Sequence, residues 1–423
     1  MFLSRLQLEH FRNYGKLDLS FDAPVTLVQG RNGQGKTNLL EAVYYLATSK
    51  SRHARTEREV VNRAAADEPI PFGRIRGEVM RAEQATRLEI LFTRRTDGLN
   101  YTKQARVNGA PRRSMDLIGH LRAVLFLPED LTLISGSPSE RRRYIDVALC
   151  QIDRGYCQAL SRYQKVVTQR NSLLRQLQEQ GQADGRSVAA QLSFWDEQLV
   201  EHGTQVLCRR HGYLADLAPI ARGVHAELTQ QQETLDLLYL PSFNTGLYAD
   251  SDYLRLRDGE EVRAEDLART EPDAAMIGDR FRERLEDRRK VELNSGNSLY
   301  GPHRDELIFL VNGWNLRTYG SRGQQRTGAL ALKLAELRAM AAATGERPVL
   351  LLDDVMSELD AQRRAALLGA LSEVRQGIVT TTDWTHFSPE FRGDAQQIQI
   401  EAGNATPVSS DRVKAGDGLS LSS

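Results

Sequence analysis

Polar and apolar residues alternate along Met1-Phe-Leu-Ser-Arg-Leu-Gln-Leu-Glu-His10, which predicts a strand rather than an apolar leader segment. A second apolar run, Pro24-Val-Thr-Leu-Val-Gln29, reads as a strand that enters glycine-rich sequence. Helical spacing then begins near Lys36 and continues through Leu46. Between Arg74 and Arg95 the apolar positions Ile75, Val79, Leu88, Ile90 and Phe92 suit a β-hairpin, and Asn108-Gly109 marks a further tight turn.

The period changes near Ser139, which is placed to cap a helix. From there Ile145, Leu149, Ile152, Tyr156, Leu160, Tyr163, Val167, Leu174 and Leu177 form one apolar stripe. The pattern predicts one helix of roughly 38 residues, about 57 Å long. Gly181-Gln-Ala-Asp-Gly185 breaks it, and a second stripe follows through Leu192, Trp195, Leu199, Val206, Tyr213 and Leu217. Two such helices joined by a short polar turn predict an antiparallel helical hairpin, an arm much shorter than an extended coiled coil.

Mixed α/β patterning returns near Gly301. A hairpin is expected over Leu307–Leu316 around Asn312-Gly313, and a helix from about Gln324 to Ala343. A buried strand at Val349–Leu352, a helix beyond Asp360 and a strand at Gly377–Thr382 follow. The organisation expected is an α/β lobe made from both ends of the chain, residues 1–138 and 301–402. A mainly helical arm, residues 139–300, is inserted, and a Ser-, Gly- and Asp-rich tail, 403–423, is expected to be disordered.

Composition narrows the function class only slightly. With 423 residues, 40% hydrophobic and 26% charged, the chain has room for two or three ordinary soluble domains. No apolar run approaches the ~20 residues of a membrane span, so no membrane partner is expected. Cys150, Cys157 and Cys208 make neither an even set nor a C-x-x-C pair, which argues against a disulfide framework or zinc site and suits a reducing cytoplasm. Lys plus Arg and Asp plus Glu are equal at 56 each, so net charge does not point to nucleic acid. The basic stretches Arg141–Arg143 and Lys103–Arg113 suit either solvated faces or contact with DNA phosphates.

Three short motifs carry chemistry. Gly30-Arg31-Asn32-Gly33-Gln34-Gly35-Lys36-Thr37 fits the phosphate-loop pattern, in which backbone N–H groups turn around phosphates. Lys36 would neutralise them and the Thr37 hydroxyl would ligate Mg2+. Val349-Leu-Leu-Leu-Asp-Asp354 is an apolar strand whose end would present Asp353 to the metal and Asp354 to an attacking water as its base. Ser321-Arg-Gly-Gln-Gln325 precedes a helix, where Ser321 and nearby N–H groups suit either an anion site or a plain helix cap.

Taken with Ser357-Glu-Leu-Asp360, these motifs resemble the SMC-like branch of the ABC-type ATPases. More specifically they resemble the RecF family, through Phe11-Arg-Asn-Tyr14, Gly33–Ala42, Gly301-Pro-His-Arg-Asp305, Ser321–Thr327 and Leu351–Asp360. Pro128-Glu-Asp-Leu131 and Gly136-Ser-Pro138 extend the likeness to the start of the arm. The resemblance implies an ABC-type P-loop lobe with a helical insertion, binding ATP and Mg2+. It implies an ATP-dependent homodimer in which Ser321, Gly323 and Gln324 meet the γ-phosphate held by the partner's loop, with Ser357 and Asp360 along the seam. It would place Arg12 near the nucleotide. It further implies binding of double-stranded and gapped DNA, weak DNA-stimulated ATP hydrolysis, and RecR-like and RecO-like partners in recombinase loading. The switch histidine of transporter ATPases is missing: the chain reads Thr380-Thr-Thr-Asp383, with His386 expected on the next loop. His303 suits a structural or a catalytic role. Rival readings are another SMC-like chromosome ATPase, a transporter subunit, and a nucleotide-gated DNA-binding module with negligible turnover.

Overall fold

The computed structural model describes residues 1–67, 69, 71–95, 100–181, 185–260 and 262–408. The chain divides into two compact units, Met1–Asp130 with the segment from Glu336, and Leu131–Ala335.

The first unit holds two six-stranded sheets. One runs in the order Asn404–Pro407, Gln396–Glu401, Val25–Gln29, Gly377–Thr381, Val349–Asp353, Ala123–Phe126. Its neighbours are parallel except for the 396–401/404–407 pair. Leu27, Val28, Leu351, Leu352, Ile378 and Val379 are fully buried. Coverage on both faces explains why these strands read as unbroken apolar runs instead of alternating. The strands 25–29, 349–353 and 377–381 end in register, with Gln29 beside Thr381 and Asp353 beside Thr380. Their carboxyl ends therefore form one edge, where open α/β sheets bind ligands.

The second sheet is antiparallel, in the order Tyr14–Ser20, Phe2–Phe11, Phe72–Arg81, Gln84–Arg94, Tyr101–Val107, Ala110–Arg112. It contains the hairpin expected over 74–95. Helix Lys36–Thr48 is almost wholly buried and packs against both sheets. Gly77 permits the closest approach, because a Cβ there would stand 2.6 Å from Leu46 Cδ1. The strand Asn404–Pro407 occupies the start of the segment that composition marked as a tail, whereas 409–423 lie outside the described residues.

In the second unit the single long helix expected from Ser139 is two helices, Pro138–Ile152 and Arg154–Glu179. The cap of the first is Ser137, whose hydroxyl accepts from Glu140 N while Glu140 Oε2 accepts from Ser137 N. That is a capping box, with Pro138 in the first turn. Asp153 breaks the run: its backbone is extended (φ −128°, ψ 103°) and its carboxylate accepts from Tyr156 N to start the next helix. The expected hairpin forms between Arg154–Glu179 and the 43-residue Arg186–Leu228, with Leu174 and Leu177 packed with Val188 and Leu192. Helix Ala274–Ser295 adds Leu293 to this cluster.

Buried arginines brace these helices. Arg170 pairs with Asp196 and Glu292, each at 2.7 Å. Arg210 pairs with Asp146 at 2.7 Å and Asp305 at 3.1 Å, and donates to Pro302 O at 2.7 Å. A three-stranded sheet, Trp314–Asn315, Glu306–Val311, Leu235–Leu240, completes the unit and includes the expected Asn312-Gly313 hairpin.

Candidate functional site

At the carboxyl edge of the parallel sheet, strand 25–29 turns through Gly30 into helix 36–48. The loop is held from behind. Asn13 Nδ2 donates to Gln34 O at 2.7 Å, Tyr14 OH to Gly35 O at 2.9 Å, and Gly403 N to Gln34 O at 3.1 Å. Two glycines are dictated by geometry. Gly35 has φ +121° and a Cβ there would lie 2.7 Å from Asn13 Nδ2, while at Gly30 it would lie 2.5 Å from Ile400 O. Arg31, Asn32 and Gly33 at the loop crest are exposed.

Lys36 is buried and curls over the loop, Nζ donating to Gly30 O at 2.6 Å and Arg31 O at 3.3 Å. Burial pushes its ammonium pKa down, opposed by the carboxylates of Asp354 and Asp353. Thr37 Oγ1 donates to Asp353 Oδ2 at 2.7 Å. The loop and the acidic strand end, 316 positions apart in sequence, are thus joined at the two groups assigned to the metal.

Thr380 is the residue that the sequence reading missed. Its fully buried hydroxyl donates to Asp353 Oδ1 at 2.7 Å and accepts from Asp354 N at 3.0 Å. The same contact holds Asp354 in the left-handed region at φ 49°. Asp354 Oδ1 is buried without a hydrogen-bond partner. Burial raises the Asp354 carboxyl pKa, the Asp353 charge adds to this, and Lys36 opposes it. His386 sits on the one-turn helix Trp384–His386 with Nδ1 3.3 Å from Thr381 Oγ1. The only legible sign of Thr380 was its place in the Thr-Thr-Thr run at the end of a strand parallel to the acidic one.

Arg12 is at the same turn as Asn13, but its guanidinium grips Glu41 with two 2.7 Å bonds and donates to Glu59 O at 2.8 Å. Of the basic stretches, Arg141 is neither solvated nor available to DNA: it is buried against Glu306 at 2.7 Å and caps the carbonyls of Ile134 and Gly136. Arg142 donates to Asp305 O at 2.7 Å, and Lys103 to Ser49 O at 2.8 Å. His303 is half-buried between Tyr163 OH, 2.6 Å from Nδ1, and Ser298 O, 3.0 Å from Nε2. A carbonyl can only accept, so Nε2 carries the proton and Nδ1 accepts from Tyr163.

In the second unit Ser321 precedes helix Arg322–Thr344. Its hydroxyl accepts from Gln324 N at 3.2 Å, and Gln324 Oε1 accepts from Ser321 N at 2.9 Å. Gln325 Nε2 reaches the carbonyls of Leu316, Arg317 and Gly320. Ser321 is thus a helix cap, and it is exposed at the helix N-terminus. In the first unit, exposed Ser357 donates to Asp354 O at 2.8 Å, and exposed Asp360 caps helix Ala361–Glu373 by accepting from Arg363 N at 2.9 Å.

The donor set fits a nucleoside triphosphate with Mg2+: a cradle that side chains would fill, one buried ammonium, and a hydroxyl–carboxylate pair. Among the described residues no three His, Cys, Asp or Glu side chains cluster to hold a metal. No helix among the described residues is long and apolar enough to cross a membrane.

Residues 2–397 match the family model described as the RecF/RecN/SMC N terminal domain. The DNA replication and repair protein RecF of Chloroflexus aurantiacus is 42% identical over 411 residues, covering 95% of this chain and 99% of that protein. The protein of the same name from Synechocystis sp. is 40% identical, over 95% and 97%. Among solved structures, the recombination mediator protein RecF of the RecFOR pathway in its ATP form aligns with a TM-score of 0.79. It is 31% identical and covers 96% of this chain and 98% of that one. With its phosphate loop, its acidic strand end and the Ser321–Gln325 motif, the signature segment, at the start of helix Arg322–Thr344, the chain belongs to the RecF family, within the ABC-type ATPases related to SMC proteins.

Proposed function

We propose that this protein is an ATP-gated dimer that closes on double-stranded DNA near single-strand gaps and reopens on slow hydrolysis. The convergence of Lys36, Thr37, Asp353 and Asp354 carries this reading. Loop N–H groups and Lys36 bind the β- and γ-phosphates, and Thr37 with Asp353 holds the metal. Mg2+, when bound, neutralises charge on the phosphate oxygens. Asp354 accepts a proton from the attacking water. As that oxygen bonds to the γ-phosphorus, the bond to the β-bridging oxygen breaks and ADP leaves. The partnerless Asp354 Oδ1 suits this role, since its lone pairs are not committed elsewhere. That observation favours a hydrolytic enzyme over a module with negligible turnover.

The closed dimer places Ser321, Gly323 and Gln324 of one copy on the γ-phosphate bound by the other, with Ser357 and Asp360 along the seam. DNA is gripped through phosphates, so binding has little base specificity and falls steeply with salt. The relatives' names support a role in replication and recombinational repair, with RecR-like and RecO-like proteins as partners. Sedimentation with and without ATP and gapped duplex is the test. Lys36→Met abolishes ATP binding or closure, and Ser321→Arg leaves monomeric ATP binding intact but blocks ATP-driven dimers. Normal ATP-driven dimers in Ser321→Arg would refute the cross-dimer site.

A further inference from the structure

The signature helix is tethered by a carboxylate that belongs to none of the recognised motifs. Helix Arg186–Leu228 ends at Thr229, and the chain reverses through Gln230 and Gln231, both left-handed at φ 53° and 63°. It then enters strand Leu235–Leu240. Glu233 sits at this junction, with three-quarters of its side chain buried. Its position is fixed from both sides. Thr229 Oγ1 lies 3.5 Å from Glu233 O, and Thr234 exchanges two 2.9 Å bonds with Asn312 at the Asn312-Gly313 turn.

From this fixed point Glu233 Oε1 accepts from Gln324 Nε2 at 2.8 Å. The same carboxamide turns its oxygen to Ser321 N at 2.9 Å. Gln324 is therefore a bridge whose two ends are both satisfied, and one of its rotamers is selected from several. Without an acceptor at Nε2 the carboxamide could swing off the helix end, and Ser321 would lose the partner that aligns its backbone. His225, fully buried, stands with Nε2 3.7 Å from Glu233 Oε2, too long for a hydrogen bond, so it does not compete for Oε1.

We propose that Glu233 is a positioning residue for the signature site: it holds Gln324, and through it Ser321, in the geometry that meets the γ-phosphate of the opposing copy. This rests on the cross-dimer reading above. The interaction uses the acceptor oxygen of Glu233 and not its charge. A carboxylate close to an incoming phosphate is electrostatically unfavourable, and the Gln324 amide standing between them screens it. An amide at position 233 therefore does the same work.

ATP-driven dimerisation of the full chain, followed by sedimentation, tests this, with ATP binding to the monomer measured in parallel. Glu233→Ala weakens dimerisation roughly tenfold, the cost of one hydrogen bond, and leaves monomeric ATP affinity unchanged. Glu233→Gln, which keeps the acceptor, dimerises as the wild type or more tightly. Gln324→Ala weakens dimerisation at least as much, and adding Glu233→Ala to it produces no further loss, because both act through one bridge. If Glu233→Ala fails to fold, the Glu233→Gln and Gln324→Ala results still decide. A Glu233→Gln variant as defective as Ser321→Arg overturns the bridge, as does wild-type dimerisation of Glu233→Ala while Ser321→Arg is blocked. Normal dimers in Ser321→Arg would remove the cross-dimer reading, and this proposal with it.

Discussion

Thr380→Val isolates one hydroxyl that serves both acidic residues of the site. The substitution keeps the side-chain shape but removes the donor to Asp353 Oδ1 and the acceptor for Asp354 N. Hydrogen bonds to a charged group contribute about 1.5–3 kcal/mol, and a buried N–H left without an acceptor costs about 1–3 kcal/mol. The added methyl offsets this by about 0.8 kcal/mol. The residue is fully buried, so water cannot readily replace the hydroxyl. The net expectation is a loss of about 2–5 kcal/mol, read from urea unfolding of the nucleotide-free protein. The left-handed backbone of Asp354, itself costing about 1 kcal/mol or more, loses its restraint at the same time. ATP turnover therefore falls more than ATP affinity, by one to two orders of magnitude at about 1.4 kcal/mol per tenfold. Thr380→Ser, which keeps the hydroxyl, recovers most of both losses. A change in unfolding free energy below about 0.5 kcal/mol with turnover intact would show that Thr380 does not organise the site.

Gly35→Ala forces a Cβ to within 2.8 Å of both polar atoms of the Asn13 carboxamide at φ +121°. About 1–3 kcal/mol of strain then falls on the loop, and calorimetry should record at least a tenfold loss of ATP affinity in a folded protein; unchanged affinity contradicts the geometry. Asp354→Asn should lower hydrolysis by about two to four orders of magnitude and prolong ATP-bound dimers, measured by phosphate release. The Asp354 carboxyl is raised above its usual 3.8, so its stabilising contribution is present below that value and lost as pH rises through the folded value. Without nucleotide, the Asn variant is therefore at least as stable as wild type at neutral pH, and a lower melting temperature there would count against the buried site. His211 and His303 are half-buried, and loss of hydration pushes each down from 6.5 to about 4, so both are neutral near pH 7. Their contribution is intact above 6.5 and lost as pH falls toward 4. Unfolding followed at pH 7 and pH 5 should show a stability loss that His303→Gln reduces; a slope unaffected by that substitution assigns the acid sensitivity elsewhere.

What the sequence disclosed depends on the range over which each feature is specified. The phosphate loop is a main-chain device: glycines at Gly30, Gly33 and Gly35, a strand before and a helix after all lie within one short window. The acidic strand end is similar, because four apolar residues before Asp353 already imply a central strand. Ser321 was legible as a helix start for the same reason. Helix Ala274–Ser295 was not, since only Ile277, Gly278, Phe281, Leu285, Glu292 and Leu293 are buried and charged residues fill most of the rest. The single-helix reading of 139–177 failed for a subtler reason. Leu149, Ile152 and Tyr156 keep helical spacing across the break, so the stripe continues although the backbone at Asp153 does not.

Side chains whose role depends on a distant partner stayed hidden. Arg141 looked like part of a charged face because local charge reports average exposure, whereas its fate is decided by Glu306, 165 positions away. Arg12 shows the limit of resemblance in the same terms. Its motif places the residue at the turn that carries Asn13, and Asn13 does touch the loop at Gln34 O. The guanidinium, however, is forked onto Glu41, a buried carboxylate on the helix that the loop itself starts. For Arg12 to reach a phosphate, the incoming anion must outcompete a buried carboxylate held at two 2.7 Å contacts. Losing the arginine would leave Glu41 with the Ser51 hydroxyl as its other partner. A buried ion pair is expensive to break from one side. The motif therefore places Arg12 beside the nucleotide loop, while its partner in the nucleotide-free state is set by Glu41, a residue that no spacing rule connects to it.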